Sequence, residues 1–196
     1  MTLSLPEPKE EVVKPMERCR IVFSGSGGQG VITAAVILAE AAVMFEDLNA
    51  VQSQSYGPEA RGGATRSDVI LSSSEILFPK VLQPNVLICL TQTAYDKYGS
   101  ILRPGGVLIT DTHFVKTDER VDALRCELPL YTSIMEKIKK PVVFNIGVLG
   151  ALIGIRPIVT PDSIMNVLQT RLPKEFLGMN QKALEVGYEL GGRFHV

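Results

Sequence analysis

The stretch IVFSGSGGQG (residues 21–30), running on into the apolar segment VITAAVILAEAAVMF (residues 31–45), decides how the rest of the chain is read. It reads as a buried strand, a glycine turn and a long helix, the opening of a βαβ unit. Gly25, Gly27 and Gly30 satisfy a G-x-G-x-x-G spacing, and Gly28 leaves the turn with almost no side-chain bulk. A backbone that bare can adopt positive φ and let another molecule come close. The helix is expected to begin near Gln29 and to aim free N–H groups and the positive end of its dipole into the same space, which favours an anion such as a diphosphate. The alternative is that the tight strand-to-helix turn needs glycine for its own sake.

Two checks narrow that phosphate reading. A Walker A loop places Lys and Ser/Thr directly after its last glycine, whereas Val31 and Ile32 follow Gly30 here, which excludes that type of nucleotide hydrolysis. A Rossmann site for NAD wants a carboxylate at the end of the second strand. The second strand, NAVQSQ (residues 49–54), carries none, and Glu46 and Asp47 precede it. The opening is Rossmann-like without the NAD signature.

The second informative stretch is YGPEARGG (residues 56–63), between an alternating strand at residues 50–55 and another at residues 66–72. One proline and three glycines shape this loop, and Glu59 and Arg61 are presented on it. A connector this short favours an antiparallel pair. Further along, residues 85–90 and 107–110 are near-continuous apolar strands of the kind buried on both faces. Thr91, Gln92 and Asp111 stand at strand C-terminal ends, where ligands bind in this architecture, and are candidates of lower rank. A helix is expected from Thr91 to about Leu102, a short strand at residues 125–128, and a helix at residues 131–139. NIGVLGALIGI (residues 145–155) spaces glycines three and four apart, so it is either a core helix or a subunit contact. Thr160-Pro161 opens the next helix, and a last helix runs from about Glu175 to Leu190, with Gly191-Gly192 as its stop.

With 196 residues, 45% hydrophobic, and a net charge of −1, the chain fits one soluble α/β domain at residues 19–196, preceded by a flexible or partner-binding arm at residues 1–18. There is no basic excess for nucleic acid and no apolar run long enough for a bilayer. The N-terminus lacks a signal pattern, so the expected location is cytoplasmic. Cys19, Cys89 and Cys126 lie too far apart for a zinc or iron–sulfur motif, and Cys89 reads as a small buried hydrophobe. With His113 and His195 alone, no catalytic triad is expected, and no residue is assigned a catalytic role.

GSGGQG at residues 25–30 and YGPEARGG at residues 56–63, followed by RSDVIL, together resemble the gamma subunit of 2-oxoacid:ferredoxin (acceptor) oxidoreductases. The likeness continues through LRPGGVLITD (residues 102–111), NIGVLGAL and NQKALEVGY, covering most of the chain. The YGPEARGG spelling is more similar to the 2-oxoglutarate type than to the pyruvate or indolepyruvate types. The resemblance implies a domain-III-like α/β/α sandwich in three layers, with a largely parallel sheet and some antiparallel pairing. It also implies a supporting part in oxidative decarboxylation of a 2-oxoacid to an acyl-CoA. Thiamine diphosphate, Mg²⁺ and [4Fe-4S] clusters would sit in partner subunits, with ferredoxin as acceptor, and coenzyme A would be received partly here. On this reading the binding residues are Gly25, Gly27, Gly28, Gln29 and Gly30, with Tyr56, Glu59, Arg61 and Gly62. Arg61 would fork onto a phosphate or carboxylate and Glu59 would orient it. Two other readings stay open: a stand-alone nucleotide- or flavin-binding oxidoreductase, and a purely structural subunit.

Overall fold

The computed structural model describes residues 18–55 and 63–194. The N-terminal arm, except Arg18, therefore lies outside the described residues, as do Tyr56, Glu59, Arg61 and Gly62 of the second motif. The strands are β1 (Cys19–Gly25), β2 (Asn49–Ser55), β3 (Thr65–Ser72), β4 (Val86–Cys89), β5 (Gly106–Asp111) and β6 (Ala123–Leu128). They form one sheet in the order β2-β3-β1-β4-β5-β6. β1, β4, β5 and β6 run parallel, and β3 runs antiparallel to both of its neighbours, β1 and β2. The antiparallel pairing expected around the second motif is therefore present, and its cause is the short connection that lets β3 fold straight back from β2.

Among the described residues, six α-helices cover the sheet: α1 (Val31–Phe45), α2 (Gln92–Tyr98), α3 (Leu130–Lys137), α4 (Phe144–Ile155), α5 (Pro161–Arg171) and α6 (Lys174–Gly191). Strand side chains alternate between two cores. Ile21 and Phe23, with Leu71, Ile88 and Ile109, join the large core under α1, α3, α4, α5 and α6. Val22, with Ile70, Leu87, Cys89 and Leu108, joins a smaller core under α2. The sandwich has its three layers, but among the described residues one outer layer holds five helices and the other α2, a 3-10 turn and loops.

Among the element boundaries that differ from expectation, three have a clear local reason. The first helix begins at Val31, two residues later than expected, with Gly30 at its N-cap in the left-handed region (φ 70°), because the turn extends through Gly30. The helix opened by Thr91 ends at Tyr98 and passes into a 3-10 turn, Gly99–Ile101. Gly99 is there for close packing, since a Cβ on it would lie 3.0 Å from a Val121 methyl. The last helix does not stop at a left-handed glycine: Gly191 is its final residue, Gly192 keeps a right-handed φ of −58°, and a 3-10 turn follows to Phe194.

Gly191 instead serves packing. All twelve residues of α4 are buried, and α4 and α6 meet backbone to backbone. A Cβ on Gly150 would run into the Leu184 carbonyl, one on Gly154 would lie 2.5 Å from the Tyr188 carbonyl, and those on Gly187 and Gly191 would strike the Gly147 and Ala151 carbonyls. Of the two readings of NIGVLGALIGI, the core helix is the one observed. At the other end of α1, Glu46 ties the helix to α5 by accepting hydrogen bonds from the Thr160 N–H (2.7 Å) and the Ser163 hydroxyl (2.6 Å). Partial burial works to raise its pKa, but these hydrogen bonds outweigh it and hold the carboxyl below its usual range. The contribution is complete above the ordinary carboxylate pKa and is lost as pH falls through the lowered value. Among the described residues, no helix is long and apolar enough to cross a membrane.

Candidate functional site

The glycine turn sits at the C-terminal edge of the parallel strands. Gly25 closes β1, and a Cβ there would lie 2.5 Å from Gln29 Oε1 and 3.2 Å from Leu90 Cβ, so a side chain at this position would push the Gln29 amide out of place. Gln29 holds the turn. Its side-chain carbonyl accepts from the Ser26 N–H (2.8 Å), and its amide donates to the Leu90 carbonyl at the end of β4 (3.2 Å). The sequence reading gave Gln29 only a binding role; its bracing role follows from β4 ending beside β1, which residue spacing does not reveal. Gly28 takes φ 89° and Gly30 φ 70°, and a Cβ at Gly27 or Gly28 would meet nothing within 4 Å. No side chain caps α1; its first intrahelical bond runs from the Ala34 N–H to the Gly30 carbonyl (2.9 Å). The N–H groups of Val31, Ile32 and Thr33 are left for another acceptor, at the positive end of the helix dipole.

The pairing of β3 brings Thr65, two residues after the second motif, to the same place. Gly25 is paired with Thr65, and Ser55, the last residue of β2, is paired with Arg66. The Ser24 hydroxyl donates to the Thr65 carbonyl (2.9 Å), fixing that corner. Of the chain around the second motif, Ser55 and Thr65 are the strand ends described here, and Tyr56, Glu59, Arg61 and Gly62 lie outside the described residues. A groove of about 350 Å³ opens there, lined by Ser26, Gly27, Gly28, Val31, Thr33 and Thr65.

A second, apolar cleft of about 450 Å³ lies across the turn, between α1, α5 and α6, with Ile37, Val142, Leu172 and Phe176 on its walls. Asn145 stands where cleft and turn meet and is only 8% exposed. A Cβ on Gly30 would come within 2.8 Å of its side chain. The sequence reading missed Asn145; its only signal was a polar residue opening an otherwise apolar helix. Neither space is lined by a described Lys or Arg.

The lower-ranked candidates have structural tasks. Thr91 caps α2 by accepting from the Ala94 N–H (3.2 Å). Gln92 accepts from the Lys116 N–H (2.9 Å) and donates to Asp96 (3.1 Å). Asp111 is fully buried and accepts from the His113 N–H (2.8 Å) and the Tyr131 N–H (2.7 Å), joining β5 to the first turn of α3. Burial raises its pKa, with those hydrogen bonds acting the other way. Burial also lifts the Cys89 thiol to about 12 and Cys126 to about 11, so neither is a poised nucleophile. Cys89 is the buried hydrophobe its sequence context suggested. Among the described residues, no three His, Cys, Asp or Glu side chains group to hold a metal.

Comparison with known proteins agrees with this geometry. The family described as pyruvate ferredoxin/flavodoxin oxidoreductase matches residues 20–190. The chain is 45% identical, over 88% of its own length and 94% of the relative's, to the 2-oxoglutarate synthase subunit KorC of Methanocaldococcus jannaschii. It is 36% identical to the subunit of the same name from Methanothermobacter thermautotrophicus, over 88% and 95% of the two chains. Its fold superposes on the crystal structure of a keto/oxoacid ferredoxin oxidoreductase gamma subunit from Geobacter sulfurreducens PCA with a TM-score of 0.83 and 36% identity, covering 91% of this chain and 98% of that one. The strand order, the glycine turn and these matches lead to one conclusion: the chain belongs to the pyruvate ferredoxin/flavodoxin oxidoreductase family.

Proposed function

We propose that this chain is the gamma subunit of a 2-oxoglutarate:ferredoxin oxidoreductase complex, and that its glycine turn receives the phosphates of coenzyme A. The observation that supports the site is that β3 pairs Thr65 with Gly25, so the strand that follows the second motif starts beside an uncapped helix N-terminus. Dipole, free N–H groups and a forking guanidinium are complementary to a diphosphate. The names of the relatives, together with the YGPEARGG spelling, support 2-oxoglutarate as the 2-oxoacid.

The complex converts the 2-oxoacid to an acyl-CoA and passes electrons to ferredoxin. In this reading thiamine diphosphate, Mg²⁺ and the [4Fe-4S] clusters belong to partner subunits and supply the decarboxylation and electron-transfer chemistry there. The contribution of this chain is to hold an anion: Gly27 and Gly28 admit it, the first turn of α1 orients it, Gln29 keeps the turn open, and Arg61 with Glu59 clamps it. Residence in the cytoplasm is part of the proposal. The isolated chain is expected to be colourless, free of iron and without turnover.

The test is steady-state kinetics of the reassembled complex, with coenzyme A varied at saturating 2-oxoacid. Arg61→Lys should raise the Michaelis constant for coenzyme A less than Arg61→Ala, because the charge persists while the bidentate fork is lost. Wild-type constants in both variants would refute the phosphate site, and turnover by this chain alone would refute the subunit reading.

A further inference from the structure

The opposite edge of the sheet carries a surface that neither the groove nor the cleft uses. The connection between β3 and β4, residues 73–85, turns outward there and leaves Leu77 80%, Leu82 70% and Phe78 50% exposed. Phe78 and Leu82 line one concavity of about 590 Å³ together with Arg20 at the start of β1, Lys80, and Arg103 just before β5. Among the described residues, ion pairs join other cations, Arg66, Arg120, Lys137 and Arg171, to carboxylates, and none involves Arg20, Lys80 or Arg103. Large apolar side chains grouped in the open, rimmed by unneutralised charge of one sign, are the signature of an interaction surface.

Resting on the subunit reading above, we infer that this edge docks a partner subunit, through a protruding face that sets an apolar side chain between carboxylates. The cations select an acidic partner by charge complementarity, and Phe78 and Leu82 supply the apolar seat that gives such contacts most of their strength. A concave seat favours a protrusion over the flat surface of a bilayer. The position also follows from the fold: the strand starts at this edge lie opposite the glycine turn, so a subunit seated here leaves the coenzyme groove open.

The experiment is co-purification of the whole complex on a tag carried by this chain, at low and high salt, with wild type, Lys80→Glu/Arg103→Glu and Leu82→Ser compared. Equal thermal midpoints of the isolated chains establish that all are folded. Charge reversal should weaken retention of one subunit about tenfold or more at low salt, with the difference shrinking as salt screens it. Leu82→Ser should weaken retention at both salts. Wild-type retention in both variants overturns the inference and leaves the phosphate-site reading intact. The inference is equally overturned if the variants abolish dimerisation of the isolated chain, or its binding to anionic phospholipid vesicles, while complex assembly stays normal. A wild-type chain that retains no thiamine-binding subunit overturns the subunit reading itself.

Discussion

Two regions of this molecule are built from glycine, for opposite ends. In the turn after β1, the missing Cβ atoms of Gly27 and Gly28 leave open space, with nothing within 4 Å of where they would stand. In the seam between α4 and α6, the space is taken by backbone: a Cβ on Gly150 or Gly187 would enter the carbonyl of the facing helix. One region keeps room for a visitor and the other lets two helices touch. Residue type alone does not separate the two cases; the surroundings do. They join at Gly30, whose left-handed conformation presses against Asn145 at the start of α4.

The largest effect is expected in the seam. Gly150→Ala forces α4 and α6 apart, and overpacking against backbone that cannot rotate away should cost about 3 kcal/mol. Thermal denaturation should show a midpoint lower by on the order of 10 °C. An unchanged midpoint would mean the helices are not in contact as described. Gly30→Ala comes next: a left-handed alanine and a displaced Asn145 should together cost about 2 kcal/mol, read by the same melt. Gly28→Asp tests the open region instead. Aspartate tolerates the left-handed region, so stability should fall little, but a carboxylate at the helix N-terminus should weaken coenzyme A in the reassembled complex roughly tenfold to a hundredfold. The smallest effect belongs to Gly27→Ala, which enters free space without positive φ and should change stability by less than about 0.5 kcal/mol. A Gly27→Ala chain as unstable as Gly150→Ala would erase the distinction between turn and seam.

Much of this contrast was legible in the sequence, but not all of it. The buried strands, the helix after the turn and the antiparallel return of β3 follow from local patterns: apolar runs, a glycine turn and a connector too short for a crossover. The choice between core helix and subunit contact for α4 was not legible, because it depends on α6, whose Gly187 and Gly191 meet α4 only after some forty residues of intervening chain have folded. Gly191 shows the same limit, since a glycine at a helix end reads as a stop whether it frees φ or admits a neighbour. At the site, the turn's permissive backbone was readable, whereas the hydrogen bonds of Gln29 to Ser26 and Leu90, and the approach of Asn145, arise from elements distant in the chain. The engagement of Asp111 with the start of α3 is another such long-range tie.

The complete burial of α4 also sets a clock. Each of its twelve residues is shielded, so the hydrogen-bonded amides of this helix should exchange with solvent deuterium among the slowest in the chain, at a rate approaching that set by global unfolding. The amides of Val31, Ile32 and Thr33 at the uncapped start of α1 have no intrahelical acceptor and should exchange faster than those of α4. A bound phosphate group that accepts from these three would slow them selectively while leaving α4 unchanged unless it stabilised the entire fold. The difference between the two rates would locate the ligand without a structure of the complex.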